Sequence, residues 1–201
     1  DGGETGITTF VYMMMENRSY DHYLGARALA GLGGDGIPTG LTYKDTGGND
    51  VPVYEATADF SDMCVTEDPP HGWGTSRGQF NNGANDGFLI EHQQHGGALE
   101  AIQYMTRERV PVHNALADAY TSCDRWFSSV MGPTLPNRMF WHAGTANGAM
   151  NNDTVLGGAH EGVTSLYHRL GEAGIDWAYY YGDVPVLSVL EGIPVEGHIR
   201  R

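Results

Sequence analysis

The sequence predicts an α/β protein with a largely parallel sheet, and three observations carry that reading. A continuous apolar, β-rich run at residues 7–15 stops abruptly at Glu16-Asn17-Arg18-Ser19, the pattern of a strand buried on both faces. Helix-period segments follow at 111–120 and 165–173. Strand-like runs at 122–132 and 175–181 alternate with them, and such alternation builds a sheet covered by helices.

The elements follow in chain order. Residues 25–62 are rich in Gly, Asp, Pro and Thr, with a short strand-like stretch at Val51-Pro52-Val53-Tyr54. Most of this segment reads as a long surface excursion, and such excursions often build a site. Between Trp73 and Ile90, Asn81-Asn82-Gly83 and Asn85-Asp86-Gly87 are turn signals. Leu99, Ile102 and Met105 have helical spacing over 98–107. Pro111 opens the helix over 111–120 at a first-turn position. The run 122–132 feeds a turn bracketed by Pro133 and Pro136, and NRMFWHAGTANG starts as a helix that breaks at Gly144. In the last helix Leu166, Tyr167 and Leu170 face inward and Gly174 is the stop. Ile175–Tyr181 reads as a strand, followed by a stretch carrying Pro185 and Pro194.

Composition narrows the functional classes. The chain has 201 residues, one ordinary domain or a little more. Its formal charge of −14 argues against a duplex-binding surface, because phosphate contacts need a basic face. Apolar residues make up 40%, enough for a packed core. The 29 glycines predict many tight turns and close backbone approaches. No apolar run is long enough for a membrane span. Cys64 and Cys123 suit either one disulfide or two small buried thiols. An acidic, Gly- and Asn-rich chain whose one lysine is Lys44 fits an exported bacterial protein.

Three places can carry chemistry. Glu16 and Asn17 stand where the expected strand ends, and ligands of open α/β sheets bind beyond the carboxyl ends of strands. A carboxylate beside an amide oxygen suits a hard divalent metal, although the same pair also suits a loop cap and a turn. Thr134, between Pro133 and Pro136, sits at an expected helix N-terminus. There a hydroxyl can attack a phosphate held by free amides, or serve simply as a cap. His71 follows the rigid Pro69-Pro70 step, either as a proton-transfer or hydrogen-bonding group or as an ordinary loop histidine. His92 and His95 have a metal-compatible spacing without a third ligand.

Taken together, ENRSYDHYLG, DPPHGW and CDRWFSSVMGPTLPNRMFWHAGTANG resemble the bacterial and plant phosphoesterase family. That family contains the non-specific phospholipases C and related acid phosphatases, and LYHRLGEAGIDWAYYYGDVP is similar to its continuation. The resemblance runs from Ile7 to about Pro185. It implies an alkaline-phosphatase-like α/β/α sandwich and metal-dependent phosphoric ester hydrolysis of phospholipase C type. It also implies Thr134 as nucleophile, Glu16, Asn17 and Thr134 as ligands to one or more divalent metal ions, and His71 as catalytic contact to a phosphate oxygen. Asn137 would touch the phosphate and Arg138 would be structural. The substrate would be a phospholipid or small phosphate ester, and the protein exported.

The family's second metal-binding segment, of Asn-Asp-Asp/Glu-His type, has no counterpart in residues 140–201. The expectation is therefore that residues 1–201 form the N-terminal portion of a single domain that a second chain or segment completes. A phosphomonoesterase and a non-catalytic phospho-ligand-binding fragment are the alternatives.

Overall fold

The structure is a computed structural model that describes residues 6–57, 67–182, 185–189 and 197–201. Its helices are α1 (Tyr20–Tyr23), α2 (Ala26–Leu29), α3 (Trp73–Phe80), α4 (Phe88–Gln94), α5 (Pro111–Ala119), α6 (Thr134–Ala143), α7 (Asn152–Thr154) and α8 (Leu166–Glu172). The strands are β1 (Thr42–Lys44), β2 (Asp50–Pro52), β3 (Tyr54–Glu55), β4 (Gln103–Tyr104), β5 (Tyr179–Tyr180) and β6 (Ile199–Arg200). The chain divides into two units, residues 1–39 with 104–124 and residues 40–103 with 125–201.

In the first unit, α1 and α2 are joined at Gly25 in a tight backbone crossing. A Cβ on Gly25 would lie 2.6 Å from the Asp21 backbone, and one on Gly36 would lie 2.5 Å from the Gly25 carbonyl. Neither position tolerates a side chain without backbone movement. The backbone N–H of Met105 donates to the His22 carbonyl at 2.8 Å, tying the second segment to α1. Arg27 of α2 reaches Asn114 and Asp118 of α5.

The second unit holds the larger core. Val130, Met139, Ala146, Ala149, Val155, Tyr167 and Leu187 are buried together, with Trp73, Leu135 and Trp177 packed against them. β1 and β2 pair antiparallel, Tyr43 opposite Val51, and Phe88 of α4 meets Tyr43 edge to face at 5.9 Å. β5 and β6 pair in parallel, Tyr179 opposite Ile199. The Asn-Gly turns behave as expected. Asn81, Asn82 and Asn85 all take positive φ, which asparagine tolerates better than most residues.

The fold is mixed α/β, and several expected elements differ. Residues 7–15 are not a buried strand: they are outside every described ladder and their side chains are exposed, Val11 at 84% and Met13 at 81%. A central strand needs a neighbour on each edge, and the described ladders are short pairs that do not include this run. Nor do the described strands form a mainly parallel sheet. Residues 122–132 are turns and irregular chain, with Trp126 and Phe127 exposed. The helix over 98–107 is a 3₁₀ turn, Glu100–Ile102, leading into β4. Its apolar spacing reflects Ile102 and Met105 packing inward from irregular chain. The helices over 111–120 and 165–173 are present as α5 and α8, the latter capped by Ser165.

Candidate active site

Thr134 is the first residue of α6, half-buried, with Pro133 in extended conformation as its cap. The turn before it is held by one side chain. Asn137 Oδ1 accepts from the Val130 backbone N–H at 2.9 Å, and its Nδ2 lies within 3.0–3.2 Å of the carbonyls of Val130, Gly132 and Pro133. The carboxamide expected to touch phosphate is therefore spent on shaping the loop that presents Thr134. The helix end also offers fewer free amides than its sequence suggests. Leu135 N–H donates to Asn152 Oδ1 at 2.9 Å, and Pro136 has no N–H to give. Beneath this turn Met139 is fully buried.

The DPPHGW segment lies beside that turn. A Cβ on Gly132 would lie 3.7 Å from Trp73 Cε3, an ordinary contact that places the two segments side by side, and 3.3 Å from the Met150 carbonyl, a tight one. Arg77 ties them together. Its guanidinium lies 3.2 Å from the centroid of the Trp73 ring, and Nη1 donates to the Trp73 carbonyl at 2.7 Å and to the Met131 carbonyl at 3.1 Å. Nothing in the sequence announces this role except that Arg77 stands four residues after Trp73, on the same helix face.

His71 is oriented by its own loop. Its Nδ1 lies 2.9 Å from the Pro69 carbonyl, an acceptor only, so Nδ1 carries the proton and Nε2 is left for a ligand. The Asp68 carboxylate stands 3.6 Å from the same Nδ1. The side chain is 43% exposed.

Glu16 and Asn17 belong to the first unit and are exposed. Just after them Ser19 caps α1, its Oγ accepting from the His22 N–H at 3.1 Å. Among the described residues no group of three or more His, Cys, Asp and Glu side chains is placed to hold a metal ion. His92 and His95 do not pair: His92 Nε2 lies 2.9 Å from Glu100, and His95 Nδ1 lies 2.7 Å from the Glu91 carbonyl. Cys123 is a free, exposed thiol, and Cys64 lies outside the described residues.

One buried polar pair has no announcement in the sequence. His142 of α6, 1% exposed, meets the Tyr167 hydroxyl through Nδ1 at 3.0 Å. Burial, with the Arg138 charge second, pushes the imidazole down to about 4, so it is neutral at pH 7. Burial likewise raises the Tyr167 hydroxyl to about 12.

The phosphoesterase family profile matches residues 7–197. The chain is 30% identical to a non-hemolytic phospholipase C of Burkholderia pseudomallei, over 87% of this chain and 26% of that protein. It is 32% identical to a hemolytic phospholipase C of Pseudomonas aeruginosa, over 85% and 25% respectively. It is 32% identical to the non-specific phospholipase C1 of Arabidopsis thaliana, over 97% and 38%. The chain thus spans between a quarter and two-fifths of the length of these relatives. With the profile covering nearly every residue, this chain belongs to the phosphoesterase family.

Proposed function

We propose that this chain is the N-terminal portion of one phosphoesterase domain, an alkaline-phosphatase-like α/β/α sandwich in its complete form, that hydrolyses phosphodiesters of phospholipid head groups. Thr134 Oγ1 is the nucleophile and His71 Nε2 meets a phosphate oxygen. The observation that carries this reading is the loop before α6, where Asn137 and Arg77 fix the turn presenting Thr134 beside the DPPHGW segment. A threonine needs no such support to serve as a cap. The relatives' names, phospholipases C from bacteria and a plant, supply the substrate class.

Glu16 and Asn17 offer oxygen donors of the kind that hard divalent ions prefer. They fit such an ion in kind and fall short in number, since the described residues assemble no ligand cluster. When bound, such an ion would lower the pKa of a nucleophilic hydroxyl and withdraw charge from the ester. Of this chain's own groups, Asn137 holds the Thr134 loop and His71 offers the phosphate one ring nitrogen. Export is part of the same proposal, supported by the Lys-poor acidic composition. No helix of the described residues is long and apolar enough to cross a membrane.

The test is hydrolysis of bis(p-nitrophenyl) phosphate and phosphatidylcholine by the native polypeptide and by Thr134→Ala. Loss of the nucleophile is expected to lower kcat by about a thousandfold or more. Wild-type hydrolysis of p-nitrophenyl phosphate but not of either diester would favour the phosphomonoesterase. Unchanged turnover in Thr134→Ala would remove Thr134 from the chemistry. Binding of phosphocholine without any turnover would favour the non-catalytic reading.

A further inference from the structure

The first unit contains a cavity of about 350 Å³ between α2, the turn at 104–108 and α5, at the small end of the ~300–1,000 Å³ typical of ligand sites. Its walls are of two kinds. Leu29, Ala30, Leu32 and Met105 form the apolar part, and Arg27 and Arg107 bring guanidinium groups to the rim. We propose that this cavity binds a single-chain anionic amphiphile, a carboxylate or phosphate head on one apolar tail.

The head-group chemistry follows from how the arginines are held. Arg27 uses only Nη1, donating to Asn114 Oδ1 at 3.2 Å and to Asp118 Oδ1 at 2.7 Å. Arg107 donates from Nη2 to the other oxygen of the same carboxylate. One Asp118 therefore orients two guanidiniums while neutralising only one of their charges. The Nε and Nη2 edge of Arg27 meets no partner among the described residues, although its side chain is only 12% exposed. That edge is the planar fork that carboxylates and phosphates accept in bidentate fashion. Glu108 also borders the cavity; its carboxylate hydrogen-bonds its own backbone amide and Thr106 and faces Arg107 and Arg109. In a chain of net charge −14, Arg27 and Arg107 thus meet Asp118 and Glu108 at local neutrality, and the unpaired Arg27 fork is the group that an anionic head would engage.

The tail follows from the other wall. Leu29 is 38% exposed and Leu32 46% exposed, beside buried Met105. An acyl chain laid there removes apolar surface from water on both partners, which a bare anion cannot do. The proposal does not depend on the role of Thr134, because it is read as binding without turnover.

The experiment is fluorescence titration of the native polypeptide with cis-parinaric acid, followed by displacement. Dodecanoate and dodecyl phosphate are expected to displace the probe, and acetate and dodecanol at equal concentration are not. Whichever of the first two displaces at the lower concentration identifies the preferred head, and displacement by neither overturns the proposal. Dodecanol matching dodecanoate means the arginines are not read, and acetate matching it means the tail is not read; either result also overturns it. Arg107→Gln is expected to weaken parinarate binding about tenfold, the scale of one lost charge-assisted hydrogen bond. Ala30→Trp, which fills the cavity, is expected to abolish it. Should Ala30→Trp misfold by circular dichroism, Arg107→Gln still decides, since that side chain is 47% exposed and its loss leaves no buried gap. Unchanged affinity in a folded Arg107→Gln sinks the idea.

Discussion

Two segments carry the family's two leading motifs, and they differ in what holds them. The turn at 130–134 is fixed from within its own neighbourhood: Asn137, three residues into α6, binds the backbone of three of its residues, and Met139 packs two residues further on. Residues 7–17 are more apolar, yet Ile7, Val11, Met13 and Met15 are all more than half exposed. The difference is one of contact range. A capped helix and its entry turn close over a few residues and cost little chain entropy to assemble. A strand earns its stability only from a ladder and from layers on its faces, all supplied by distant chain.

The contrast is sharpest where burial is complete. Met139→Ala in α6 is expected to cost about 2–5 kcal/mol, read as a shift in the urea midpoint at unchanged m-value. The site is enclosed by Val130, Val155 and Tyr167, which leaves little freedom to collapse into the space. A loss below about 1 kcal/mol would mean that the core beneath Thr134 is looser than its burial indicates.

The same helix supplies a pH signature. His142 titrates near 4 in the folded protein, against an ordinary value of 6.5, chiefly because burial disfavours its charge. The folded value is depressed, so the unfolded chain binds the proton more readily. The contribution is intact above about pH 6.5, is lost as pH falls toward 4, and is flat below that. The full span corresponds to roughly 3 kcal/mol. Unfolding free energies of wild type and His142→Gln, measured from pH 7 to 4, should converge or cross as the wild type loses this amount. Parallel curves would show that His142 is solvated.

The same contrast explains what was legible in the sequence. α5, α6 and α8 announce themselves through Pro111, Gly144 and Ser165, each acting within a turn of where it stands. The asparagine turns at 81–87 are equally local. Thr134 and His71 stand out in the sequence because prolines flank the one and precede the other, and the structure puts their two segments side by side. Arg77 and the His142–Tyr167 pair were not legible, because each joins groups that become neighbours only after packing. The expected strands at 7–15 and 122–132 failed for a related reason: β-rich composition states a preference, and partners decide it. For Asn137 the motif named the residue but not the backbone groups of Val130, Gly132 and Pro133 that its carboxamide binds.

A smaller effect tests the turn itself. Asn137→Ala leaves the Val130 N–H without its acceptor and three carbonyls without a donor. The expected cost is about 1–3 kcal/mol in chemical denaturation, the scale of a half-buried group left unsatisfied. With Thr134 as the proposed nucleophile, kcat should fall more than KM rises in the native polypeptide, because the displaced group would be the attacking hydroxyl and not a binding surface. A rise in KM alone would return Asn137 to phosphate contact.

The smallest expected effect closes the comparison from the other side. Val11 is 84% exposed, so Val11→Ser in the 201-residue chain should change stability by no more than about 0.5 kcal/mol, against several for Met139→Ala. Both substitutions shorten an apolar side chain in a family motif region, and only the surroundings differ. The same change is informative in any longer polypeptide that carries these 201 residues. A cost of about 1–2 kcal/mol there would mean that further chain covers the run and that its apolar sequence serves a layer these residues do not supply. Equal, negligible costs in both would make the run an exposed surface, and the strand reading of residues 7–15 would then fail for the whole domain.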